Sequence, residues 1–191
     1  MKSYLRTGTI PGTSLPADRF GGVTGNDFIE KIFFVTDGIM LSQIREITGI
    51  DGTTLQNWLK RGWVPSPQKK TYSREHLARI LLINMMRDTV ELSRIVFLLG
   101  YFGGSGETLG ECELYDIVCR VLSTVSVSGG SMGGLDDIIT NETDAYANLS
   151  DDTRKRILLV VRIIVVSYYA TTMKATADYM LSSLIGDGGA K

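Results

Sequence analysis

The sequence predicts a mainly α-helical protein in two parts: a module of short helices towards the N-terminus and a helical C-terminal domain. Three observations carry that expectation. Apolar residues recur three and four apart in segment after segment, the period of a helix with one buried face. Those segments open on Ser, Thr or Asp and close on Gly, the residues that cap helix ends. Charge is also divided along the chain: residues 41–87 hold eight Lys/Arg against three Asp/Glu, while residues 103–153 hold one Arg against ten acids.

Residues 1–25 contain Pro11, Pro16 and five Gly without regular apolar spacing, and read as a loose arm or an extended strap. Phe28, Ile29, Ile32 and Phe33 then predict a short helix over residues 26–34, ended by Asp37-Gly38. In the stretch from Leu41 to Arg87, Ser42 can cap a helix carrying Ile44 and Ile47, and Gly49 stops it. Asp51 or Thr53 opens the next, with Leu55, Trp58 and Leu59 inward and Gly62 at its end. Two short helices joined by a tight Gly-containing turn make a helix-turn-helix, whose second helix can enter the major groove of DNA. Pro65 and Pro67 forbid helix, and Gln68-Lys69-Lys70-Thr71-Tyr72 fits a short basic β-wing. Ser73 caps a third helix, with Leu77, Ile80, Leu81 and Ile83 inward and Arg74, Arg79 and Arg87 outward. Residues 88–102 repeat the helical pattern through Leu92, Ile95, Val96 and Leu99.

These residues resemble a known family. Thr54-Leu55, Arg61-Gly62, Pro65 and Tyr72-Ser73 follow one another as the corresponding marks do in the MerR winged-helix domain. The runs Asn57-Trp58-Leu59-Lys60-Arg61-Gly62 and Lys70-Thr71-Tyr72-Ser73-Arg74-Glu75-His76-Leu77 are more similar still to the bacterial family known as domain of unknown function 1836. The resemblance covers roughly residues 25–145 and is most specific over 41–102. It implies a MerR-like winged helix-turn-helix that binds DNA. MerR proteins usually carry Arg-Tyr after the "TL" and an Arg in the wing; Gln56-Asn57 and Lys70-Thr71 stand there instead, which implies a different sequence preference.

The break Gly103-Gly104-Ser105-Gly106 divides an expected winged helix-turn-helix domain (26–102) from an expected C-terminal domain (107–186). Leu109–Val127 reads as one helix with acids at its start, and residues 126–134 as a flexible linker rather than a phosphate loop, since no GK[ST] follows. The last helix is capped at Asn148-Leu149-Ser150 and ends at Gly186. Its centre, LLVVRIIVV, is apolar on nearly all sides, so it is either wrapped by the domain or paired with a second copy as a homodimer.

Little here supports an enzyme. A single histidine, His76, leaves a His-based metal site without partners, and the scattered acids lack the order of a calcium loop. No catalytic residue, metal or cofactor is therefore expected, and His76 reads as a surface or hinge residue near phosphates. The absence of an apolar segment behind Lys2, and an apolar run (Ile157–Ala170) interrupted by Arg162 and too short for a bilayer, point to a cytoplasmic chain. Cys112 and Cys119, seven apart on one helix, read as reduced thiols. The expected function is sequence-specific binding of double-stranded DNA by a transcriptional regulator. Thr53, Thr54, Gln56, Asn57 and Lys60 would face the groove, with Arg61 also on the DNA, and Lys69, Lys70, Tyr72 and Arg74 would sit on the phosphate backbone or in the minor groove. Two alternatives stand beside it: a protein-interaction module presenting Trp63 and the Pro65–Pro67 turn, and a sensor of a small-molecule effector with a pocket among Tyr115, Tyr168, Tyr169 and Met173.

Overall fold

The computed structural model describes residues 8–103, 109–146 and 149–188; the expected break at 104–106 and the cap residue Asn148 lie outside them. The chain is mainly helical, and among the described residues only isolated β-bridges occur. The helices are α1 (Gly25–Ile32), α2 (Leu41–Thr48), α3 (Gly52–Lys60), α4 (Arg74–Met86), α5 (Leu92–Gly103), α6 (Glu111–Val127), α7 (Leu135–Thr143) and α8 (Asp151–Gly188), with a 3-10 turn at Ala17–Phe20.

The most buried helix explains the arrangement. On α4, Leu77, Ala78, Ile80, Leu81, Leu82, Ile83, Met85 and Met86 are all buried, so its apolar side chains point in every direction. A helix without a polar face must be surrounded, and α1, α2, α5, α6 and α8 pack around it. Because α6 lies against both α1 and α4, one continuous core runs from the short-helix module into the C-terminal helices.

Helix ends follow local chemistry. Asp51 caps α3 by accepting from Thr54 N at 2.9 Å, and Ser73 caps α4 by accepting from His76 N. Gly49 ends α2 at φ +70°, a conformation costly for residues with a Cβ. Past α3, Gly62 N donates to Leu59 O and Trp63 N to Trp58 O, the paired bonds of a Schellman ending. Ser150 Oγ accepts from Thr153 N at the start of α8. Ser42 does not cap α2; Met40 precedes the helix, and Gln43 Oε1 reaches back to accept from its N–H at 2.8 Å.

Five further expectations change. Of residues 1–25, those described form an ordered strap rather than a loose arm. Ile10 is fully buried, Ser14 Oγ donates to Glu46 O, and Asn84 Nδ2 and Tyr115 Oη donate to Gly12 O and Pro11 O. The wing is a single turn: Gln68 and Thr71 bridge across Lys69 and Lys70, both at positive φ (49° and 64°), and no strand follows. That is the sign pattern of the hairpin turn that Asn-Gly prefers. Arg79 points inward; its Nε donates to Trp63 O at 2.6 Å and its guanidinium pairs with Glu111 on α6. Next, residues between the Gly-rich segment and α8, where the sequence predicts no separate element, form α7. Finally, α8 runs to Gly188 rather than Gly186, so shortness does not bar it from a bilayer: Asp151–Ile185 is long and apolar enough to cross one by length and composition. The face carrying Ile157, Val160, Val161, Ile164 and Val165 is nonetheless buried, within a helix that packs on α4, α5, α6 and α7.

Candidate nucleic-acid interface

The three-residue turn Gly49-Ile50-Asp51 sets α3 against α2. Ile50, Leu55 and Trp58 are buried and Leu59 is half-buried, which fixes the rotation of α3 about its axis. Thr53, Gln56, Asn57 and Lys60, spaced i, i+3, i+4 and i+7, are thereby left exposed along the opposite face. Thr54 is half-buried and its hydroxyl is committed to the cap residue Asp51, so it belongs to the helix start rather than to the free face. That bond and the Thr54 N–H hold the Asp51 carboxyl below its ordinary pKa.

The cationic residues divide in two. Arg74 pairs with Glu30 of α1 and lies over the Phe33 ring, Arg79 is internal, and Arg87 lies 3.9 Å from Asp88. Lys60, Arg61, Lys69 and Lys70 are exposed and make no ion pair among the described residues; Arg61 stacks over the Trp63 ring at 5.0 Å. Arg45 joins this set. It is exposed and makes no ion pair among the described residues, and its side chain passes 3.5 Å from where a Cβ on Gly52 would lie, beside the start of α3. Helical spacing marks it only weakly, since it falls about a quarter turn from the buried Ile44, Ile47 and Thr48 rather than opposite them.

Tyr72 is turned into the core. It is 4% exposed, its backbone pairs with Ile39, its ring meets His76 edge-on, and burial raises its pKa. Its neighbour Lys70 is exposed, so the turn contributes charge and Tyr72 anchors it. No hydrogen bond or ion pair among the described residues links side chains of the α3 face to those of the turn; each is positioned by its own attachment to the core.

His76 is half-buried rather than a surface residue. Its Nδ1 accepts from Ser73 N at 3.2 Å and lies 2.7 Å from Ser73 Oγ, locking the first turn of α4. Burial, the largest cause, lowers its pKa below the ordinary 6.5. A lowered imidazole pKa stabilises the fold in the neutral form; that contribution is present above the unfolded-state pKa and is lost as pH falls through the folded one. The melting temperature of the wild type is therefore expected to fall relative to His76→Gln as pH drops from about 7.5 to about 5, and parallel curves would contradict this role.

The tyrosines expected to line an effector pocket are differently placed. Tyr115 is fully buried with its hydroxyl on Pro11 O, and Tyr168 and Tyr169 meet edge-on at 6.3 Å. A cavity of about 500 Å³ lies elsewhere, between the 21–27 segment, Asp116, Arg120 and Tyr146. Asp116, only 6% exposed, is fully engaged there: Oδ1 accepts from Asn26 N at 2.8 Å, and Oδ2 from Arg120 Nε at 2.8 Å and Tyr146 Oη at 3.2 Å. Its chemistry is that of a structural hub, tying α1, α6 and the end of α7 together.

No curated protein and no solved structure matches the chain. Residues 28–116, from α1 through α2, α3 and α4 to the start of α6, match the family model described as Domain of unknown function (DUF1836).

Proposed function

We propose that the protein is a cytoplasmic transcriptional regulator that binds double-stranded DNA in a sequence-specific way through a MerR-like winged helix-turn-helix. The observation that carries this reading is the exposed face of α3, where Thr53, Gln56, Asn57 and Lys60 stand opposite the buried Leu55 and Trp58. Gln and Asn have the geometry to hydrogen-bond adenine N6 and N7 together, and Lys suits guanine or phosphate. The exposed cations Arg45, Lys60, Arg61, Lys69 and Lys70 supply phosphate contacts, and the strained two-lysine turn takes the place of a longer wing.

The test is selection from a randomised duplex pool, followed by affinity measurements on the enriched site across a salt series. If all five cations meet phosphates, the slope of log K against log salt is about −4.5. Lys69→Asn/Lys70→Gly suits the turn conformation while deleting both charges, so it should flatten the slope by about two without lowering the melting temperature. Gln56→Ala/Asn57→Ala should leave the slope alone and cost ~1–3 kcal/mol of discrimination per lost base contact. No enriched site, together with salt-insensitive binding, would overturn DNA reading and favour a protein-interaction module.

A further inference from the structure

The two sides of α8 are both apolar, and only one is used. Ile157, Val161, Ile164 and Tyr168 form the side seated on the core. On the opposite side, Leu159, Val166, Met173 and Met180 recur every seven residues and are 44%, 50%, 61% and 54% exposed. Ile163, Ala170, Ala177 and Leu184 fall four residues after each of them, so the spacing alternates four and three across residues 159–184. A straight helix with 3.6 residues per turn does not need that repeat. A sustained 3.5-residue repeat is the seam of a two-stranded coiled coil.

We propose that α8 pairs with α8 of a second copy of this chain along this seam. The pairing does not rest on the DNA-binding reading. It also moves the interface from where the sequence suggests: the apolar centre LLVVRIIVV supplies chiefly the intramolecular face, and the intermolecular face continues beyond it to Leu184. The size fits a stable pair. With roughly 100 Å² open on each of Leu159, Val166, Met173, Met180 and Leu184 on the seam and Leu181 beside it, the pair would bury about 1,200 Å², the lower end of the standard range for specific interfaces. A lone chain rarely exposes so much contiguous apolar surface. Ala170 and Ala177 let the two helices approach closely. A bilayer is the poorer occupant, because the remaining sides of the same segment carry Lys174, Thr176, Asp178, Ser182 and Ser183.

The experiment is sedimentation of the full chain at micromolar concentration, with wild type beside Met173→Lys/Met180→Lys and Tyr179→Lys. Tyr179 is a large residue, 69% exposed, but lies off the seam. The wild type should sediment at twice the chain mass of 21.0 kDa. The double variant should weaken association at least about a hundredfold with helical circular dichroism retained, and Tyr179→Lys should still pair. A monomeric wild type, a double variant that pairs as well as the wild type, equal dissociation by Tyr179→Lys, or wild-type chains that float with lipid vesicles instead of pairing would each overturn the proposal.

Discussion

Gly12→Ala is expected to lower the melting temperature by about 6–12 °C, a loss of about 3 kcal/mol in a chain of this size. Two effects add. Gly12 sits at φ +75°, where a residue with a Cβ costs ~1–2 kcal/mol. A Cβ there would also lie 2.6 Å from Leu81 O, a backbone atom at the middle of the surrounded helix α4 that has nowhere to retreat. The strap would have to lift, exposing Ile10 and breaking the Asn84 and Tyr115 bonds to Gly12 O and Pro11 O. Gly21→Ala separates the two effects. Gly21 has φ +70° with nothing within 4 Å of the added Cβ, so it should cost only ~1 kcal/mol, about 2–4 °C. Equal losses at both positions would mean that the strap does not press on α4.

The second large effect belongs to Asp116. Asp116→Ala strands three donors, Asn26 N, Arg120 Nε and Tyr146 Oη, in a site where the carboxylate is 6% exposed. Loss of a buried charged acceptor typically costs several kcal/mol, so a drop of about 3 kcal/mol is expected from denaturant melts. A spectroscopic signature accompanies it. Burial first, and the Asp116 charge second, push the Tyr146 phenol up to about 12 from its ordinary 10.0. Asp116→Asn removes the charge while keeping an acceptor, so the phenol should titrate at lower pH than in the wild type. An unmoved phenol, in a protein that still folds, would show that Tyr146 and Asp116 do not meet.

How far the sequence could be read depends on whether the signal was local. Gly49 and Gly62 as helix stops and Asp51, Ser73 and Ser150 as caps are encoded within four residues of where they act, and the structure has all of them. Tertiary partners are not so encoded. Arg79 looks like an outward cation at its helix position, yet its partners Trp63 O and Glu111 lie 16 and 32 residues away and draw it inside. The strap residues have no periodicity to read, because they are held by backbone carbonyls of α2 and by single side chains of α4 and α6 rather than by a pattern of their own. A nine-residue helix such as α7 offers only Leu135, Ile138 and Ile139, and the glycines ahead of it overshadow them. At the candidate interface, the exposed polar face of α3 follows from spacing alone, as the counterpart of the buried Leu55 and Trp58. That Tyr72 would be an anchor rather than a contact depends on its pairing with Ile39, 33 residues earlier.

The buried thiols have a practical consequence. Cys112 and Cys119 are the chain's two cysteines, and both are shielded within α6. Burial drives both thiols upward, Cys119 to about 12, so neither holds an appreciable thiolate population at neutral pH. The native protein is accordingly silent towards alkylating dyes and spin labels while folded. One engineered surface cysteine, on the α3 face or along the free side of α8, would be the sole reporter, and a sudden uptake of label by the unaltered chain would time the moment α6 leaves the core.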